Sequence, residues 1–353
     1  MAQLEVGMFS WIEHRELPGG QRQVFEEFLQ LVEAADKAGL YAVQVAEHQG
    51  TPLSIDVSPN IVLSAVAQRT QRIRMGSLTW CLPWYDPYRL YTELCMLDQM
   101  SGGRIELGVG RGVSPIESRY YGLQSIEESR EKYRECLDVL FAAFGNPVLN
   151  YQGKHYQYHD IELHNQPYQQ PYPPLWFPTS QAHATLAFVA EHGYHTAISI
   201  GDVAYVREQR DRYWDIWRQH QHDPGRHNAH VARPFVGAGR HVVVAPTEAE
   251  AVRLATEATE VWGGRIGYLG RKMGAAPNAN RELDYEARAK VGHVVAGTPE
   301  QVAQILTEHV KATGVNYLLL TFGFGDLTHQ QAMQSLSLFG EQVLPKLQAL
   351  EVE

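Results

Sequence analysis

Cysteine is scarce: Cys81, Cys95 and Cys136 are the only three in 353 residues. An odd number without CxxC spacing provides neither a disulfide framework nor a redox pair, and fits reduced thiols in a cytoplasm. No apolar run approaches the ~20 residues that span a bilayer, so no membrane segment is expected. The N-terminal "MAQLEVGMFS" lacks a basic region followed by an apolar core, and no secretory leader is expected. Positive charge is short as well. Thirty Lys and Arg stand against 40 Asp and Glu, a formal net charge of −10. That balance argues against nucleic acid as a main partner, because phosphate binding needs a basic face. The signatures of several chemistries are missing too: no G-x-S-x-G elbow, no P-loop, no HExxH. The histidines of "HQHDPGRHNAH" (220–230) lie in a polar stretch without tetrahedral ligand spacing, so no metal is expected there.

What is present is ordinary for a globular enzyme, with 44% hydrophobic and 20% charged residues. Short β-type runs alternate with amphipathic segments. The runs are "LEVGMF" (4–9), "YAVQVA" (41–46), "RIRMGSLT" (72–79), "RIELGVG" (104–110), "PLWF" (174–177), "TAISI" (196–200), "HVVVA" (241–245) and "VNYLLLTF" (315–322). Amphipathic segments lie near 23–38, 59–70, 87–100, 126–144, 181–192, 203–221, 247–261, 299–313 and 329–349. "SPN" (58–60) and "TPEQ" (298–301) each put a capping hydroxyl before a first-turn proline. Eight strands, each followed by a helix, predict one α/β domain over 1–353, a (β/α)₈ TIM barrel. A doubly wound sheet with a second domain is the alternative, but no linker-like break divides the chain. Two stretches interrupt the repeat. Residues 145–173, aromatic and proline-rich, read as a hairpin plus an extended connection inserted before strand 5. Residues 263–290, before the last helix–strand unit, hold five glycines, six basic and three acidic residues. That segment is too long for an ordinary connection and reads as a mobile lid or local disorder.

Barrel chemistry sits at the C-terminal ends of the strands. The run "GVGRG" (108–112) ends strand 4. It is not GxGxxG and no helix is expected directly after it, so a dinucleotide fingerprint fails. A glycine turn carrying Arg111 can cradle a phosphate or let a flat ring approach the backbone, or it is simply a turn with a solvated arginine. Arg130 falls three positions before Tyr133 and seven before Leu137, which predicts an inward place in the first turn of its helix. Thr185 brings a hydroxyl to the start of the next helix, where N–H groups favour phosphate, although a threonine bonding its own helix is the simpler reading. His48, preceded by Glu47 at the end of strand 2, suits proton transfer or a structural hydrogen bond.

The stretch "LDQMSGGRIELGVGRG" (97–112) resembles the signature of the bacterial luciferase-like, flavin-dependent monooxygenases. The resemblance extends through "MGSLTWCLPWYDPYRLYTELCMLDQMSGGR" (75–104), "QPYPPLWFPTSQAHATLAFVAEHG" (170–193), "VAGTPEQVAQILTEHVKATGVNYLLL" (295–320) and "FGEQVLPKL" (339–347). It implies the same barrel with FMN in its mouth. Arg111, Arg130, Ser180 and Thr185 would then hold the phosphate, and His48 would stand beside the reactive edge of the ring. It also implies a cis peptide at Leu78–Thr79. Gln49 and Gly110 depart from luciferase proper, which has a second histidine and a cysteine there, so light emission is not expected. The expected activity is oxygenation of a carbonyl compound or another small organic substrate by dioxygen and reduced FMN from a separate NAD(P)H:flavin reductase. A homodimer is the family-level expectation. Trp11, Trp80 and Tyr120 are candidate walls of the substrate pocket. A deazaflavin- or NAD(P)H-dependent oxidoreductase and a non-catalytic flavin-binding protein are the alternatives on this fold.

Overall fold

The structure, a computed structural model, describes residues 2–179, 183–199, 201–274 and 284–352. Eight parallel strands form its centre: β1 (Glu5–Ser10), β2 (Ala42–Val45), β3 (Arg74–Ser77), β4 (Ile105–Gly110), β5 (Leu175–Trp176), β6 (Thr196–Ile198), β7 (Val236–Val244) and β8 (Tyr317–Thr321). Hydrogen-bonded pairing runs β6-β7-β8-β1-β2-β3-β4, and β5 pairs with β4. Parallel bridges at Trp176–His195 and Thr179–Ile198 join β5 to β6. The His195 N–H donates to Leu175 O at 3.0 Å, and the Phe177 N–H donates to His195 O at 2.9 Å. These bonds close the ring, as the eight-unit count predicts.

Helices α1 (Gly20–Ala38), α2 (Pro59–Arg69), α3 (Pro87–Ser101), α4 (Pro115–Tyr120), α5 (Ile126–Ala143), α6 (His183–Glu191), α7 (Val203–His220), α8 (Glu248–Ile266), α9 (Pro299–Thr313) and α10 (His329–Leu338) accompany the strands. Their starts follow local chemistry. Thr298 makes a full capping box with Gln301 at α9, whereas Ser58 stands at the N-cap of α2 without a side-chain bond. Among the described residues no helix is long and apolar enough to cross a membrane.

The barrel interior is filled by rings. Tyr317 lies 5.0 Å from Trp176 and 5.1 Å from Phe235, centroid to centroid. A Cβ on Gly7 would come within 1.8 Å of the Tyr317 hydroxyl, so the adjacent strand β1 needs glycine there. Beneath the rings Glu106, fully buried, accepts from the Tyr41 hydroxyl at 3.0 Å and from the Trp176 indole N–H, and pairs with Arg74. This polar plug closes the N-terminal end, leaving the opposite end for chemistry.

Three expectations change. Strand 7 begins at Val236 rather than 241, and a further short strand, Val294–Gly297, pairs with its second half. A six-residue helix, α4, does begin shortly after GVGRG. The 263–290 segment holds the end of α8 and two short helices, Tyr268–Lys272 and Tyr285–Lys290, while 275–283 lie outside the described residues. The stretch before β5 contains the expected hairpin, Val148–Gln152 against Gln157–Glu162.

Candidate active site

His48 leaves β2 at the C-terminal end of the barrel, and α4 folds over it. Ser114 caps α4 by accepting the Glu117 N–H, which sets Glu117 in the first turn. The Glu117 carboxylate is buried and accepts from the Gln49 N–H at 2.6 Å, with His48 Nδ1 at 3.1 Å from the same oxygen. An ionised carboxylate only accepts, so Nδ1 is assigned the proton and Nε2 is the nitrogen free for chemistry. Sequence reasoning missed Glu117; "SPIE" (114–117) has the form of a cap and first-turn acid, and that was its only signal.

Glu47 points away from His48. Its carboxyl accepts from the Cys81 N–H at 2.7 Å and the Tyr85 hydroxyl at 2.6 Å. Burial pushes its pKa up to about 8, and those two bonds only partly offset that shift. The tether holds the turn after β3, where the Leu78–Thr79 peptide is cis as the resemblance implies. Thr79 meets β4 closely: a Cβ on Gly110 would fall 2.3 Å from the Thr79 hydroxyl oxygen. Gly110 is therefore required by strand contact. Leu78 packs on the interior rings with Trp176 and Tyr317.

Arg111 follows β4, half-buried, and has no hydrogen-bond or ion-pair partner among the described residues. Burial lowers its pKa, and the neighbouring Arg130 lowers it further. Arg111 lines a cavity of about 270 Å³ with Ser118, Ser125 and Ser129 at the start of α5. The Ser129 hydroxyl is buried in it without a partner. Two unmatched donors facing one cavity at a helix N-terminus suit an anion with several acceptor oxygens.

The expected inward place of Arg130 is corrected. Its side chain is 55% exposed and pairs with Glu127 at 3.2 Å. Ser129 takes the inward position, because the buried stripe runs through Ser129, Cys136, Leu137 and Leu140 and passes Arg130 by one residue. Thr185 is half-buried near the start of α6 and does not line the Arg111 cavity; Ser180 lies outside the described residues. Trp80 is corrected as well. It is fully buried in the core, its indole N–H donating to Asn60 Oδ1 at 2.8 Å, and presents no exposed surface to a substrate. Tyr120 is exposed, with its ring against Gly50 beside the His48 loop. Trp11, half-buried past β1, packs against Phe9, His241 and Trp262.

A closed parallel barrel with a histidine–carboxylate pair and a cavity holding two unmatched donors at its C-terminal end has the architecture of an enzyme. The chain matches the luciferase-like monooxygenase family over residues 4–317 and belongs to it. It is 32% identical over 326 residues to protein y4wF of Sinorhizobium fredii, covering 92% of each chain. To the alkanal monooxygenase alpha chain of Photobacterium leiognathi it is 25% identical over 354 residues, covering 94% of this chain and 96% of the relative. Among solved structures, the oxygenating constituent of 3,6-diketocamphane monooxygenase of Pseudomonas putida, in complex with FMN, superposes with a TM-score of 0.81 at 19% identity, covering 99% of both chains. The protein is a flavin-dependent oxidoreductase of this family.

Proposed function

We propose that this chain is the oxygenating component of a two-component, FMN-dependent monooxygenase. It accepts reduced FMN from a separate NAD(P)H:flavin reductase and, with dioxygen, oxygenates a small carbonyl-bearing substrate. The observation that carries this reading is the cavity with two unmatched donors, Arg111 and Ser129. The FMN phosphate supplies the oxygens both groups lack, with Arg130 adding positive charge from the rim. Leu78, Thr79 and Gly110 would form the surface under the ring, and Thr185 the next helix start. When bound, the reduced flavin supplies the electrons that let dioxygen react with the substrate. His48 moves a proton through Nε2 while Glu117 holds Nδ1.

Arg111→Gln tests the reading by titration of oxidised and reduced FMN. Loss of a charge-assisted phosphate contact should weaken binding by about 10-fold or more, with the fold unchanged by circular dichroism. Wild-type protein that binds FMN in neither state would overturn the proposal. Binding of a deazaflavin in its place, with the same dependence on Arg111, would turn the chemistry to hydride transfer.

The exposed apolar side chains of Val57, Ile61, Met96 and Met100, on α2, α3 and the residues before α2, form a face we assign to a second copy of the chain.

A further inference from the structure

The phosphate cavity and His48 divide the barrel mouth. With FMN held by Arg111 and Ser129 at the end of β4 and His48 past the end of β2, the ends of β7, β8 and β1 would be left for the substrate. This step rests on the cofactor reading above. Those ends carry a polar group that no described residue uses. His241 shares the inward face of β7 with Gly237 and Gly239, which press on Tyr317 and Ser199 inside the barrel. It is 6% exposed, yet neither ring nitrogen has a hydrogen-bond partner among the described residues.

Rings from three other segments fix the imidazole. Phe324, past β8, stacks on it at 4.4 Å and 16°. Trp262, near the end of α8, meets it edge-on at 4.8 Å and 74°. Trp11 lies at 5.5 Å and 55°. Trp262 and Phe324 are buried backing, itself covered where the Arg288 guanidinium lies 4.5 Å over the Trp262 ring. Trp11 is the half-buried member.

We propose that His241 and Trp11 form the substrate-recognition wall, and that it selects a flat, ring-bearing carbonyl compound such as an aryl ketone over a straight-chain aldehyde. Burial, with the charges of Arg288 and His293, pushes the His241 pKa down to about 3, so the ring is neutral near pH 7 and has one N–H to donate. A carbonyl oxygen only accepts, and so completes that group. The indole face gains from an offset or edge-on aromatic partner, a gain an alkyl chain does not share.

The test uses the full chain loaded with oxidised FMN, titrated calorimetrically with acetophenone and with decanal. Wild type should bind acetophenone about 10-fold more tightly than decanal. His241→Phe keeps the ring stack and removes the donor. It should weaken acetophenone and decanal alike by about 10-fold, since both present a carbonyl oxygen, while leaving FMN binding unchanged. Trp11→Leu, which leaves His241 in place, should erase the preference between the probes. Tighter decanal, unchanged affinities in His241→Phe, a preference that survives Trp11→Leu, or no binding of either probe to FMN-loaded protein overturns the inference. Failure of FMN itself to bind is seen before any probe is added and overturns the cofactor reading instead, taking this inference with it.

Discussion

Glu47 holds a carboxyl group in the protein interior with no cation beside it among the described residues. It is 5% exposed, its two bonds come from neutral donors, and the nearby Asp56 charge adds to the upward push from burial. A carboxyl whose folded pKa of about 8 lies above its unfolded value of 4.5 binds more protons folded than unfolded between those limits. Its contribution to stability is therefore present below pH 4.5 and is lost as pH rises through 8. Glu47→Gln can accept from Cys81 and donate to Tyr85 without a charge to bury. The variant should remove a pH-dependent loss on the order of 3 kcal/mol, read as urea midpoints at pH 5.5 and 8.5. Equal slopes in variant and wild type would show that Glu47 ionises freely. His48 and Arg111 were legible in the sequence because a strand end locates them. Ser129 and Glu117 were not, since a serine or glutamate in a first helical turn reads equally well as capping chemistry. Arg130 was misplaced because a single helical period does not separate the buried stripe from its edge.

At the scale of elements, β7 was shortened in the sequence reading because Gly237 and Gly239 count against a strand; the bulk of Tyr317 in the closed barrel is what requires a residue without a side chain at 237. The segment after α7 shows a second kind of non-local fit. His192, past the end of α6, stacks on His227 at 3.8 Å and 28°. His192 Nδ1 accepts the His227 N–H at 3.2 Å, and His227 Nδ1 lies 2.8 Å from the Tyr194 hydroxyl. Burial lowers both histidines. His227 falls to about 4, with His192 contributing, and His192 is also opposed by Arg226 while Glu191 works the other way. Protonating either ring takes away its acceptor and sets charge against charge. With depressed folded pKa values, the unfolded chain binds more protons between about 4 and 6.5, so this stability is present above pH 6.5 and lost as pH falls toward 4. The Asn228 N–H, bonded to His192 O at 3.0 Å, should lose about 10-fold in hydrogen-exchange protection between pH 7.5 and 5. His227→Phe keeps the aromatic contacts and should flatten that change. Identical protection profiles in the two proteins would sink the idea.

The whole barrel was legible because its order depends on repetition, strand then helix, which survives errors of a few residues at each end. What surrounds the barrel follows from surface chemistry, and the face around α2 and α3 is its clearest case. Ile61 is 73% exposed, Val57 and Met96 are each 52% exposed, and Met100 is 47% exposed. The two helices lie side by side, with the Gln68 amide reaching Met100 O, and these apolar side chains stand exposed on them and on the residues before α2. Burying one such side chain is worth roughly 1.5–3 kcal/mol. A two-fold interface buries each residue twice, so a single substitution counts in both copies. Ile61→Lys should therefore raise the dimer dissociation constant by about 100-fold or more, while FMN affinity per chain stays unchanged because the Arg111 cavity lies at the barrel mouth. Sedimentation velocity at micromolar concentration reads the outcome directly. A dimeric wild type beside a monomeric, FMN-binding Ile61→Lys variant supports the assignment. A monomeric wild type, or a variant that stays dimeric, removes this face from the assembly.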